Sequence, residues 1–362
     1  MKILVLFVEP MLYGMDLIHE VYEKTKHEFR YVYCNARLTG KDNIILPENA
    51  VVLSENKSAR RIQVVKEFSK FSPDFAIING YVGTEQVTAI YYCQKNHIPY
   101  AIETDTTLHI PANPVVALAK KLLLRRRLHH PLCYGFPGGT PQKENLVYYG
   151  IPEEKNFIMP MSVSEDRLLK AAGTYASKEE LKKEIGLESK KIILFVGRLA
   201  PEKNISLLIS AYNQLKKKHP EAALIIVGDG PKAKDLKAQV RELSITDVLF
   251  SGYIGFPELM KYYKMADVFV LPSVYEPWGL VVNEALAFGL PVVISDKVGC
   301  GSDLVKNSEN GFVFSDDTEL YDGMEKALLN ETLIPSAGSW NFRLYRKNFE
   351  SAEEIICGRK MV

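Results

Sequence analysis

Short, continuously apolar runs recur along this chain, each followed by a segment of helical length. KILVLFV (2–8), FRYVYC (29–34), FAIIN (75–79) and YAIE (100–103) stand in the first half, with another run near FIMPM (157–161). KIILFVG (191–197), ALIIVG (223–228), VLFSG (248–252), DVFVLP (267–272) and PVVIS (291–295) stand in the second. Strands without polar alternation are buried on both faces, and they alternate with helices where a parallel sheet is covered on both sides. The expected class is therefore α/β, with doubly wound sheets. At 362 residues the chain exceeds one ordinary domain, so two are expected. The polar stretch SEDRLLKAAGTYASKEELKKEIGLESKK breaks the rhythm and places a linker within about 162–190. This gives a first domain over 1–170 and a second over 190–338; the helical pattern at about 340–362 suits a helix that packs back on the first.

With 45 Lys plus Arg against 44 Asp plus Glu, the balance gives no overall pull toward nucleic acid, so a charged partner must be met locally. Five cysteines (Cys34, Cys93, Cys133, Cys300, Cys357) are widely spaced and form no CxxC pair, which argues against a disulfide framework or a zinc site and fits a reducing cytoplasm. The apolar opening MKILVLFV stops at Glu9-Pro10 without a small-residue cleavage site and is expected to be a buried strand. No run reaches transmembrane length.

Ligands of open α/β sheets bind at the carboxyl ends of strands. There, after KIILFV, stand Arg198 and Lys203 in GRLAPEKN. A planar guanidinium and a compact ammonium together suit two linked phosphates, although a solvated loop also carries such residues. In VGDGPKAKDL, Gly228 and Gly230 allow a tight turn close to a ligand, and Tyr253 in LFSGYIG could wall a flat base. The stretch SVYEPWGLVVNEALAFGLPVVISD sets Glu276 in a loop and Glu284 one turn inside the helix that follows. Gly279, Leu280 and Val281 open that helix, whose free amides and dipole suit a phosphate. A carboxylate accepts two bonds from vicinal hydroxyls, so one glutamate can hold a ribose and the other a sugar ring.

This ordered set, ending in GCGSDLV and NGFVF, resembles glycosyltransferase family 4 over about residues 190–315. The resemblance implies a GT-B fold, in which two Rossmann-like domains face a central cleft, and retention at the anomeric carbon. It further implies that Glu276 contacts the sugar hydroxyls, Glu284 the ribose, and that Arg198 and Lys203 clamp the diphosphate with the amides of 279–281. The first half departs from the family pattern. Gly14 is the one glycine of FVEPMLYGMD where members often have two, and AIETDTTLH puts Asp105 near the place of a frequent histidine, with His109 four residues on. Glu103, Asp105 and His109 all stand open as the group facing the sugar. Asp303 stands where a glutamate is more frequent.

The expected activity is a retaining, hexosyltransferase-type glycosyltransfer from a UDP-, GDP- or ADP-sugar to a glycan or lipid-linked acceptor, in surface polysaccharide or glycoconjugate synthesis. A nucleotide-sugar epimerase and a non-catalytic sugar-nucleotide binder are the alternatives. No GxGxxG follows either first strand, which disfavours a dinucleotide-dependent dehydrogenase. No DxD triplet occurs, so no cofactor is expected and the reaction is expected to be metal-independent, with Arg198 and Lys203 serving as cations. Finally, VVALAKKLLLRRRLHH (115–130) joins apolar helical spacing to Lys120, Lys121, Arg125, Arg126 and Arg127. It reads either as peripheral contact with an anionic membrane at its inner face or as a packed helix with a solvated basic side.

Overall fold

The computed structural model describes residues 1–36, 44–330 and 332–358, the side chains of Lys57 and Cys357 excepted. The chain divides into two compact units, 1–163 with 339–362, and 164–338. The described residues of the first form a six-stranded sheet of β1 (Lys2–Phe7), β2 (Glu28–Tyr33), β3 (Ala50–Val52), β4 (Phe75–Asn79), β5 (Tyr100–Thr104) and β6 (Cys133–Pro137), in the order β3-β2-β1-β4-β5-β6. The second holds β7 (Lys191–Val196), β8 (Ala222–Val227), β9 (Val248–Gly252), β10 (Val268–Leu271), β11 (Val292–Ser295) and β12 (Gly311–Phe314), in the order β12-β11-β10-β7-β8-β9. Every pairing is parallel. Each sheet thus has the doubly wound Rossmann order, and the expected α/β class with two such sheets is confirmed.

The apolar runs form these strands because both faces need covering. On β1, Ile3, Val5 and Phe7 enter one core cluster while Leu4 and Leu6 enter the cluster on the opposite face. Three strands depart from the sequence reading. The run near 157–161 is no strand; it lies beside β6, with Phe157 N–H donating to Gly135 O at 2.9 Å and Met159 N–H to Pro137 O at 2.8 Å. The sixth strand is β6 itself, which holds Gly135 and Pro137 and so gave no clear strand signal. β3 is only three residues long, and β12 opens on Gly311.

The stretch expected as a linker is mostly helical and belongs to the second unit. Helices Glu165–Gly173 and Lys178–Glu184 form there, with Lys178 and Lys182 both paired to Asp267 at 2.8 Å.

The C-terminal helix Phe342–Gly358 belongs to the first unit. Phe342, Tyr345, Phe349, Ala352 and Ile356 form a stripe at helical spacing and share a core cluster with Leu17, Ile18 and Tyr22. The Phe349 ring lies 5.9 Å from Tyr22 and 6.2 Å from Phe136. Inside this contact the Tyr345 hydroxyl donates to Glu103 Oε1 at 2.9 Å and lies 3.0 Å from the Tyr22 hydroxyl. Glu103 is buried, and burial pushes its carboxyl up to about 7 despite the bonds from Tyr345 and Asn79. It is therefore committed to the core beneath the C-terminal helix.

A carboxyl that ionises near 4.5 when unfolded and near 7 when folded makes the native state bind the extra proton within that window. Stability is then fully present below pH 4.5 and falls as pH rises to about 7, by on the order of 3 kcal/mol. Glu103→Gln keeps an acceptor for Tyr345 and removes the ionisation. Urea unfolding should find the variant about 2 kcal/mol more stable than the parent at pH 8 and level with it at pH 5. A loss of stability at pH 8 would mean that the tyrosine holds the carboxylate ion.

Candidate active site

In the second unit the strand order reverses between β7 and β10, so the loops leaving these neighbours diverge at their carboxyl ends and leave a crevice. The loop after β7 runs from Gly197 through a single 3-10 turn, Pro201–Lys203, into the helix Ile205–Lys218. The loop after β10 carries Glu276. Val274 N–H donates to Glu202 O at 2.9 Å and stitches the two loops together. Across that stitch the Lys203 ammonium donates to Glu276 Oε2. Both side chains are mostly buried, at 17% and 14% exposure, so neither charge is solvated well and each depends on the other. The structure thus brings together two groups expected to meet different parts of a ligand.

Glu276 is fixed from a third loop as well. Its N–H donates to Lys297 O at 3.2 Å, and its carbonyl accepts from Gly299 N–H at 2.9 Å. Trp278, whose role has no local signal in the sequence, anchors the turn. It is buried, its indole N–H donates to Asn283 Oδ1 at 2.9 Å, and its carbonyl accepts from Cys300 N–H at 3.0 Å. Gly279 follows at φ +97°, a conformation that glycine adopts without strain, and serves as N-cap of the helix Leu280–Ala287. The first-turn amides, those of Leu280 and Val281 among them, lack intrahelical acceptors and carry the positive end of the helix dipole.

Glu284 lies within this helix and is partly buried. Its Oε2 accepts a bond from the Tyr263 hydroxyl at 2.6 Å. Burial first and the Glu284 charge second push the Tyr263 phenol well up, so the tyrosine stays a donor. Its ring stacks on Phe288 at 5.5 Å. Tyr263 therefore sets the direction of Glu284, a role with no signal in sequence because the two residues lie on different helices.

Arg198 is exposed, and its guanidinium makes no hydrogen bond or ion pair with a described residue. Gly228 has a packing reason of its own. It sits at φ +138°, and a Cβ there would lie 1.9 Å from Gly197 O; a Cβ on Gly230 would lie 2.5 Å from Leu199 O. The close neighbour of these glycines is the loop that carries Arg198, so they shape the site by letting that loop pass. Tyr253, just past β9, is 43% exposed.

In the first unit Asp105 follows β5 directly and is exposed; its carbonyl accepts from Gln142 Nε2 at 3.2 Å. His109 is exposed, with its carbonyl held by Lys120 Nζ at 3.0 Å. Gly14 is not in a loop but inside the helix Leu12–Glu20, where an added Cβ would meet nothing within 4 Å. The cysteines Cys34, Cys93, Cys133 and Cys300 are buried and unpaired. Burial pushes the Cys300 thiol far up, with Glu276 and Asp303 adding to it, which leaves it inert.

Residues 177–340 match the family model described as glycosyl transferases group 1. The chain is 40% identical over 140 residues to an uncharacterized glycosyltransferase of Methanocaldococcus jannaschii, a match covering 38% of this chain and 35% of that protein. It is 33% identical over 187 residues to the mannosylfructose-phosphate synthase of Agrobacterium fabrum, covering 47% and 40%. The chain thus spans about two fifths or less of these curated relatives. Among solved structures, Anabaena HepE in complex with UDP and glucose superposes with a TM-score of 0.74 at 17% identity, over 98% of this chain and 100% of that one. The likeness shows that the fold is GT-B.

The two glycines should respond in opposite ways. Gly228→Ala forces a side chain against the Gly197 carbonyl and should cost about 2–4 kcal/mol in thermal or urea unfolding. Gly14→Ala, inside a helix with open space around it, should gain roughly 0.5–1 kcal/mol. A neutral Gly228→Ala would contradict the packing reason for that glycine.

Proposed function

We propose that this protein transfers a sugar from a nucleoside-diphosphate sugar to a hydroxyl group. The observation that carries this reading is the grouping at the β7–β10 crevice: Lys203 paired with Glu276, the exposed Arg198 on the same loop as Lys203, and the amides that open the helix bearing Glu284. A nucleotide sugar offers matching groups: a diphosphate for the cations and amides, and vicinal hydroxyls for the carboxylates. The match of residues 177–340 to the glycosyl transferases group 1 model supports the reading, as does the UDP and glucose complex of HepE, which shares the fold.

On this reading, breaking the anomeric C–O bond leaves charge on the diphosphate, and Arg198, Lys203 and the amides of Leu280 and Val281 stabilise it as it develops. Glu276 holds the sugar hydroxyls and Glu284, aimed by Tyr263, holds the ribose. Gly228 and Tyr253 shape the nucleotide's surroundings. The transfer retains anomeric configuration and the sugar is a hexose. In the first unit, Asp105 is assigned to the reacting sugar, and His109 and Gly14 to substrate contact. The acceptor is a glycan or lipid-linked saccharide.

The ion pair sharpens the test. In the free protein the Glu276 carboxylate holds the Lys203 ammonium and competes with a phosphate for it. Glu276→Ala should therefore leave the Kd for a bare nucleoside diphosphate unchanged or lower, and lower kcat by roughly ten- to a hundredfold. Glu284→Ala removes a contact made alike in ground and transition states, so it should raise both the donor KM and that Kd by a similar factor. Tyr263→Phe should follow Glu284→Ala in direction at smaller size. If Glu276→Ala weakens the bare nucleotide as much as Glu284→Ala does, the two ends are misassigned. Interconversion of sugars without an acceptor would indicate an epimerase instead.

With Arg198 and Lys203 as the cations, turnover should persist in EDTA, and divalent ions should change it at most modestly. Complete loss of activity in the chelator, restored by Mg²⁺ or Mn²⁺, would overturn the cationic clamp.

A further inference from the structure

The helix Pro114–Leu128 is capped by Asn113, whose Oδ1 accepts from Val115 N–H at 2.9 Å and Val116 N–H at 3.3 Å. It is held to the first unit by little: Leu124 and Leu128 are its buried residues, both in the C-terminal half. Val115, Val116, Leu118, Leu122 and Leu123 are each more than half exposed. At about 3.6 residues per turn, Val115, Leu118, Ala119, Leu122 and Arg126 share one side, flanked by Val116 and Leu123, and Leu124 and Leu128 lie opposite. The helix is apolar on two sides, and one of them faces water.

The charges differ around the helix. Lys120 and Lys121 lie over the rings of Tyr149 and Tyr148, at 5.2 and 4.0 Å, and so belong to the unit's own surface. Arg125 and Arg126 are exposed at the edge and within the apolar face, and their guanidinium groups pair with no described residue. No acidic residue occurs between Asp105 and Glu144. Among the described residues no helix is long and apolar enough to cross a membrane.

We propose that this face docks on an anionic lipid surface, with Val115, Leu118 and Leu122 entering the acyl boundary and Arg125 and Arg126 reaching the headgroups. Apolar side chains interleaved with arginines suit such a surface, because the long side chains bury their stems and keep their charges at headgroup level. A second copy of the chain suits it less, since helices meeting through this face would bring arginines together without counter-charge.

The full chain is tested by flotation with phosphatidylcholine vesicles, with and without phosphatidylglycerol, at low and high salt. Binding is expected on the phosphatidylglycerol vesicles at low salt, weakening as salt rises. Arg125→Gln with Arg126→Gln should lower the partition about 30-fold, and Leu118→Ser with Leu122→Ser about tenfold or more. All four positions are exposed, and unchanged thermal melting would show that the variants fold. Two outcomes overturn the proposal: wild-type protein that stays free of phosphatidylglycerol vesicles at low salt, or vesicle binding untouched by both variants. A concentration-dependent dimer that the leucine variants dissociate, without vesicle binding, would assign the face to self-association. Vesicle binding is read without turnover, so its failure is distinct from failure of the sugar-transfer reading.

Discussion

A parallel sheet that winds outward in both directions from its middle must part the loops of its two central strands, and the second unit rests its site on that divergence. The loop after β7 and the loop after β10 leave neighbouring strands, so Lys203 and Glu276 meet although 73 positions separate them. Lys203 and Glu276 are each less than a fifth exposed, and two such charges are tolerable because they neutralise one another. The backbone bond from Val274 to Glu202 fixes the approach.

The pairing bears on how the proposed chemistry begins. A free ammonium in the crevice would attract any anion, whereas one already held by a carboxylate rewards a ligand that satisfies both partners at once. On the proposed reading a nucleotide sugar does this, with phosphate for Lys203 and hydroxyls for Glu276. Inorganic phosphate offers the cation a partner and leaves the carboxylate with none. Packing and hydrogen bonds hold the surroundings: Trp278 is buried in the turn, Gly279 supplies the backbone conformation that starts the helix, and Tyr263 bonds Glu284.

The first unit solves a different problem. Its C-terminal helix returns to it after the chain has built the whole second unit, and an apolar stripe alone would fix that helix only loosely. The Tyr22–Tyr345–Glu103 chain of hydroxyls and carboxyl adds direction to the contact. It also keeps Glu103 buried, whereas Asp105 and His109 are exposed.

Periodicity along the chain determined the two doubly wound sheets, since a strand buried on both faces has to be apolar throughout and a helix between such strands has to be amphipathic. The same local order placed Arg198, Lys203, Glu276 and Glu284 at strand ends and helix starts. Strands with weak local signal escaped it: β3 is too short, β6 contains Gly135 and Pro137, and the apolar run at 157–161 runs alongside β6 without joining the sheet. Partnerships between distant positions were decided by tertiary structure alone. Lys203 with Glu276, Tyr263 with Glu284, Glu103 with Tyr345, and Gly228 against the Gly197 carbonyl each depend on which loops and helices the fold sets side by side. The outward apolar face of the helix 114–128 is the same kind of fact, because apolar spacing shows that a helix has such sides and only packing decides which of them the protein covers.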